Sequence, residues 1–113
     1  MSEYLPPFFQ KLRGRYPDVF DRHEALAGAC HAAGPLDRKS RHLAKLGVAI
    51  GARYRGAVQS QVRQSLQAGA TSEEIEQVAL LAATTVGFPS SVAALKWIEE
   101  VLEARETAGA PDA

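Results

Sequence analysis

The spacing of apolar residues constrains this chain most, because such residues recur every three or four positions along most of its length. Between Thr71 and Gly87 the pattern is carried by Ile75, Val78 and Leu81. Side chains at this spacing lie on one face of an α-helix. Runs that alternate β-branched apolar residues with polar ones, as a half-buried strand requires, are absent from the sequence. The spacing therefore predicts an all-α bundle.

Prolines and glycines divide the pattern into about six helices. We expect them over residues 8–14, from Pro17 to Gly34, after Asp37, over about 57–68, after Thr71 and from Pro89. Asp37 can cap the third helix, and Thr71 with Glu74 forms a capping box, T-x-x-E. Gly69 is placed for the left-handed residue that ends the fourth helix.

The third helix is predicted to carry one apolar stripe. The three-to-four spacing is followed by Leu43, Leu46, Ile50 and Tyr54. Gly51 and Gly56 mark a possible break near Tyr54. In the second helix, by the same reasoning, the lone Cys30 is predicted to be buried and inert. Both predictions concern side chains that face a core.

The length and the charge of the chain limit its domain organisation and its binding partners. A chain of 113 residues fits one domain, which we place at residues 1–106, with a frayed tail at 107–113. The 13 basic residues balance 13 acidic ones, so no field favours nucleic acid or an anionic membrane. No apolar run is long enough to span a membrane. A single cysteine and no metal-binding spacing among three histidines predict a cytoplasmic protein without a metal or other cofactor.

Residues 61–101, QVRQSLQAGATSEEIEQVALLAATTVGFPSSVAALKWIEEV, resemble the carboxymuconolactone decarboxylase family and its alkylhydroperoxidase-like branch. The similarity rests on VRxxLxAGAT, the following EEI, and GFP before an Ala-rich helix. Upstream, GPLDRKSRHLAKLGVAIGARY resembles the family's entry into its central helix pair. The resemblance implies a small all-α subunit that assembles into trimers or hexamers, with a pocket between helices near a subunit contact.

Proteins of that family's peroxidase branch carry a motif similar to Cys-x-x-Cys-x-x-x-His, with a Glu twelve residues before the first Cys. Aligning the VRxxLxAG segment places His42 at the Glu, Tyr54 and Ala57 at the cysteines, and Gln61 at the histidine. A thiol peroxidase needs a thiolate to attack the peroxide, and Tyr, Ala and Gln provide none. The resemblance therefore supports the family's fold more strongly than it supports the family's activity.

Several residues remain candidates for a site. His42 could move a proton near neutral pH, or could be a hydrogen-bonded or solvated histidine at a helix boundary. Tyr54 and Gln61 could orient a ligand with Ala57 leaving space, or Gln61 could satisfy a buried Tyr54 hydroxyl. Arg53 could hold a carboxylate, or could be a solvated surface cation. Candidate pocket-lining side chains also include the aromatic ring of Phe88.

The leading functional hypothesis is a cofactor-free lyase or isomerase that acts on a small carboxylated or lactone-like molecule. In it His42 moves the proton, Tyr54 and Gln61 orient the substrate, and Arg53 holds its carboxylate. The rival is a non-catalytic oligomeric binding or assembly protein on the same fold. A thiol-dependent peroxidase using Cys30 ranks last, because the sequence has no second cysteine.

Overall fold

The computed structural model of the chain describes residues 5–108. In this range six helices follow one another and no strand occurs; they are α1 (Pro7–Arg15), α2 (Pro17–Ala32), α3 (Arg38–Gly51), α4 (Arg55–Gln67), α5 (Ser72–Ala82) and α6 (Phe88–Thr107). The predicted all-α fold of about six helices is confirmed. Residues 109–113 of the predicted tail lie outside the described residues, and Thr107 ends α6.

The described residues fall into two compact units, one up to Pro35 and one from Leu36 onward. The first holds α1 and α2, which we call the α1–α2 unit, and the second holds α3 to α6, which we call the four-helix unit. The placement of one domain at 1–106 stays a prediction.

Helix ends in the four-helix unit follow the capping residues of the sequence. The Asp37 carboxylate accepts from the Ser40 N–H at 2.8 Å, and Thr71 and Glu74 form the reciprocal capping box at the start of α5. Gly69 has φ +97°, which allows the chain to leave α4 in the left-handed region. These three predictions are confirmed.

The possible break near Tyr54 is present, and it lies just before Tyr54. The helix stops at Gly51, and Arg53 takes a positive φ of 56°, which turns the chain before α4 begins at Arg55. Tyr54 therefore lies outside α3 and is 63% exposed, so its predicted place in the apolar stripe is wrong. The left-handed backbone at Arg53 is the physical reason, because it ends the helical spacing three residues short.

The core of the four-helix unit is rich in small residues and is formed almost entirely by helical residues. Small residues let helices approach: a Cβ built on Gly47 would lie 3.7 Å from Val78 Cγ1, and one on Gly51 would lie 3.9 Å from Val86 Cγ1. The buried apolar residues are Leu46, Ala49, Ile50, Val58, Val62, Leu66, Ala70, Ile75, Ala79, Ala82, Ala94, Ile98 and Val101. This core fixes α3 beside α4, and that pair positions the candidate site.

Ion pairs tie the helices together at their exposed edges. Lys39 Nζ lies 3.0 Å from Glu74, and Arg55 donates to Glu100 at 2.7 Å. The Thr71 backbone N–H, followed by the Lys39 ammonium, lowers the pKa of Glu74 below its ordinary value. The Arg55 guanidinium lowers the pKa of Glu100 in the same way. Both carboxylates therefore stay charged at neutral pH.

The α1–α2 unit has no buried residue in either helix. Arg13 donates to Glu24 at 2.6 Å across the junction of the two helices. Cys30 is exposed, so the expectation of a buried cysteine is wrong. The reason is that α2 buries none of its apolar residues within the described chain. No helix between residues 5 and 108 is long and apolar enough to cross a membrane.

Candidate functional site

Two of the sequence-predicted site residues meet between α3 and α4. His42 lies in the second turn of α3 and Gln61 in the middle of α4. His42 Nδ1 lies 3.0 Å from Gln61 Oε1, a normal hydrogen-bond distance. His42 is only 4% exposed and Gln61 is partly buried. The helix pair thus holds an ionisable ring in a nearly dry position.

The hydrogen bond selects one tautomer of the histidine. An amide oxygen can only accept, so with Gln61 Oε1 facing the ring, His42 Nδ1 is the donor. In the neutral ring the proton is then on Nδ1 and the lone pair is on Nε2. A second group that fixes the ring orientation in this way is typical of histidines that act as general bases.

Arg53 and Tyr54 lie at the junction of α3 and α4, away from the pair. The seven residues from Tyr54 to Gln61 correspond to about 10 Å along α4. The Tyr54 ring lies beside Gly56, with Cε1 3.5 Å from where a Cβ on that glycine would be. Gln61 bonds His42, so a packing role in which Gln61 satisfies the Tyr54 hydroxyl is not what the structure shows.

Ala57 and Phe88 occupy two different environments. Ala57 is partly buried against the core, one helical turn before Gln61. Phe88 is the first residue of α6 and is 68% exposed. Because Val86 packs close to Gly51, the α5–α6 turn and the end of α3 lie at the same end of the four-helix unit. Phe88 follows Val86 by two residues at this end of the unit.

A buried hydroxyl next to the pair was not among the predicted site residues. Ser65 lies one turn beyond Gln61 on α4, is 0% exposed, and its Oγ has no hydrogen-bond partner within residues 5–108. The signal in the sequence is a serine four residues after Gln61 on an otherwise apolar helix face. Its buried hydroxyl makes the core-facing side of α4 less purely apolar than the spacing alone indicates.

The structure adds no candidate metal ligands to this site. Between residues 5 and 108, no three or more His, Cys, Asp and Glu side chains are grouped so that they could hold a metal ion. The prediction of a site without metal or other cofactor stays a prediction.

Comparison with known proteins gives the class of this all-helical chain. The model of the carboxymuconolactone decarboxylase family matches residues 17–100, which include the α3–α4 pair. The match covers most of the chain, and the chain belongs to this family. It is also similar to the uncharacterized protein MJ0742 of Methanocaldococcus jannaschii, with 26% identity over 91 residues, which are 80% of this chain and 88% of that protein.

Proposed function

We propose that this chain is a self-associating lyase or isomerase, free of cofactor, that moves a proton on a small carboxylated or lactone-like molecule. The observation that carries the proposal is the 3.0 Å hydrogen bond between His42 Nδ1 and Gln61 Oε1 at a buried position. It supplies a ring whose orientation and tautomer suit a general base. Family membership supports the fold on which such a site is built.

The proposed chemistry needs only a proton transfer. In an isomerisation, His42 Nε2 takes a proton from the carbon next to a carbonyl, and the protonated ring returns it to another carbon of the same enolate. In a decarboxylation, the carboxylate departs as CO2, and the electron pair left on carbon takes the Nε2 proton of a doubly protonated His42 ring. The ring then regains that proton from water. Neither reaction consumes an oxidant or reductant.

The remaining site residues serve binding in this proposal. The Arg53 guanidinium holds a carboxylate at the α3–α4 junction, and Tyr54 donates a hydrogen bond beside it. Ala57 leaves space on the α4 face between the junction and the pair, and exposed Phe88 offers an apolar wall. Because the junction is about 10 Å from Gln61 along α4, we propose a substrate whose carboxylate and reacting carbon lie at opposite ends.

The proposal excludes thiol peroxidase activity. Cys30 is the only cysteine in the sequence, and it lies on α2 rather than on the α3–α4 pair. A peroxidatic cycle at Cys30 would need a resolving thiol from another molecule. The same proposal includes assembly into trimers or hexamers and a cytoplasmic location, both of which are predictions from the sequence.

A second candidate function is non-catalytic binding or assembly. Its supporting observation is the 4% exposure of His42. A buried histidine that is hydrogen-bonded to a glutamine can pack α3 on α4 without any catalytic role. If this candidate is correct, removing the imidazole changes the free energy of unfolding, and the unmodified chain has no catalytic activity.

The test is proton exchange in D2O, followed by NMR, with carboxymuconolactone and a panel of small keto acids and carboxylated lactones. We expect deuterium incorporation or product formation with at least one compound, and a loss of about a hundredfold or more in His42→Gln. His31→Gln, a histidine substitution on α2, is the matched control and should keep the activity. Turnover that survives in His42→Gln contradicts the catalytic assignment, and exchange with none of the compounds favours the second candidate.

A further inference from the structure

We propose that α2 is a contact between two copies of this chain, packed antiparallel along one exposed stripe. The stripe consists of Val19, His23, Leu26 and Cys30. At 100° per residue these four side chains lie within a narrow sector of the helix surface. Val19 is 63% exposed, Leu26 is 61% exposed, and both His23 and Cys30 are exposed. The stripe contains no Asp, Glu, Lys or Arg, which suits burial against a partner.

The rest of α2 shows that the stripe is a separate face. Phe20, Ala27 and His31 are partly buried and lie together about a quarter-turn from the stripe. Neither they nor the stripe residues reach full burial. A helix with a partly covered face and a second exposed apolar face is typical of a helix with two packing partners.

The spacing of the stripe identifies a second copy as the occupant. Its four residues are separated by four, three and four positions, and this sequence of spacings reads the same in both directions. An antiparallel copy therefore presents a matching stripe, with Val19 opposite the second copy's Cys30 and His23 opposite the second copy's Leu26. Such self-complementarity is the requirement of a two-fold symmetric interface.

The charges on α2 favour the antiparallel direction. Its charged residues, Asp18, Asp21, Arg22 and Glu24, all lie in the first half of the helix, and residues 25–32 contain none. An antiparallel pair places the net negative half of each helix over the uncharged half of the other. A parallel pair would place the two negative halves side by side, which costs energy.

The α2 contact specifies a surface and a symmetry for the self-association that is part of the proposed function. A two-fold contact on α2 joins two chains, and combined with a three-fold contact elsewhere it joins two trimers into a hexamer. It does not depend on chemistry at His42.

The test is disulfide formation in the full-length Val19→Cys variant, which keeps Cys30. In the proposed register the new cysteine faces the second copy's Cys30, so mild oxidation should give covalent dimers on a non-reducing gel, about tenfold faster than in the control. The control is Ala25→Cys, an exposed position on the far side of α2 from the stripe. The unmodified chain should not cross-link, because its two Cys30 side chains would be about 16 Å apart along the helix axis.

Equal cross-linking of Val19→Cys and Ala25→Cys would overturn the proposal, and efficient cross-linking of the unmodified chain would show the parallel register instead. Sedimentation supplies a second measurement that needs no cysteine chemistry. Leu26→Glu should halve the assembly mass, whereas the neighbouring Ala25→Glu adds the same charge off the stripe and should leave the mass unchanged. An assembly of unchanged mass in Leu26→Glu rejects the α2 contact while leaving other self-association intact.

Discussion

The two compact units use apolar residues in opposite ways. The four-helix unit places thirteen apolar side chains in one buried core. In the α1–α2 unit no residue of either helix is buried, although Phe8, Val19 and Leu26 are each more than 60% exposed. Both units show the three-to-four spacing that predicts helices. The difference teaches that this spacing gives the helix and its apolar face, but not the partner that covers the face.

The difference also separates the proposed roles of the two units. The His42–Gln61 pair is held between two helices of the packed unit, where side chains have few alternative positions. The exposed stripe of α2 lies in the unit without a core, where its apolar surface is available to a second copy. We therefore propose chemistry for the four-helix unit and assembly for the α1–α2 unit.

The same substitution made in both units tests this difference in burial most sharply. Leu46→Ala removes a side chain that is 0% exposed, and we expect it to lower the free energy of unfolding by about 2–5 kcal/mol. Leu26→Ala, at 61% exposure, should lower it by less than about 0.5 kcal/mol at protein concentrations that keep chains apart. Urea unfolding of both variants measures this, and similar losses would show that α2 is packed as tightly as α3.

A pair of glycine substitutions should give smaller effects of opposite sign. Gly69 has φ +97°, so Gly69→Ala is strained and should cost about 1 kcal/mol or more. Gly28 lies inside α2, and a Cβ there would meet no atom within 4 Å, so Gly28→Ala should stabilise α2 by about 0.5–1 kcal/mol. Thermal unfolding followed by circular dichroism compares them. A destabilised Gly28→Ala would mean that α2 has a close neighbour at this point.

Most of the fold could be predicted because its signals are local. A capping box needs only Thr71 and Glu74, and the turn after α4 needs only Gly69. Two glycines predicted a possible break near Tyr54, but they did not show that α3 ends before Tyr54, because a positive φ at Arg53 has no local signal in a residue that normally avoids it. That one residue moved Tyr54 from a predicted core stripe to an exposed junction.

The candidate site was harder to predict, because it depends on which residues of different helices meet. Family resemblance placed His42 and Gln61 at matching reactive positions, and the structure brings their side chains to 3.0 Å. The same resemblance grouped them with Tyr54, whose ring lies instead beside Gly56. The exposed Cys30 shows the same limit, since helical spacing alone cannot tell a core face from a surface face.

The most direct measurement is the tautomer of His42, read from the ring-nitrogen NMR shifts of histidine-labelled protein, with His42→Gln used to assign the signal. We expect the neutral ring to carry its proton on Nδ1, where Gln61 Oε1 accepts it, and we expect Gln61→Ala to remove this preference. A neutral ring protonated on Nε2 in the unmodified chain would contradict the account, because the nitrogen proposed to accept the substrate proton would already hold one.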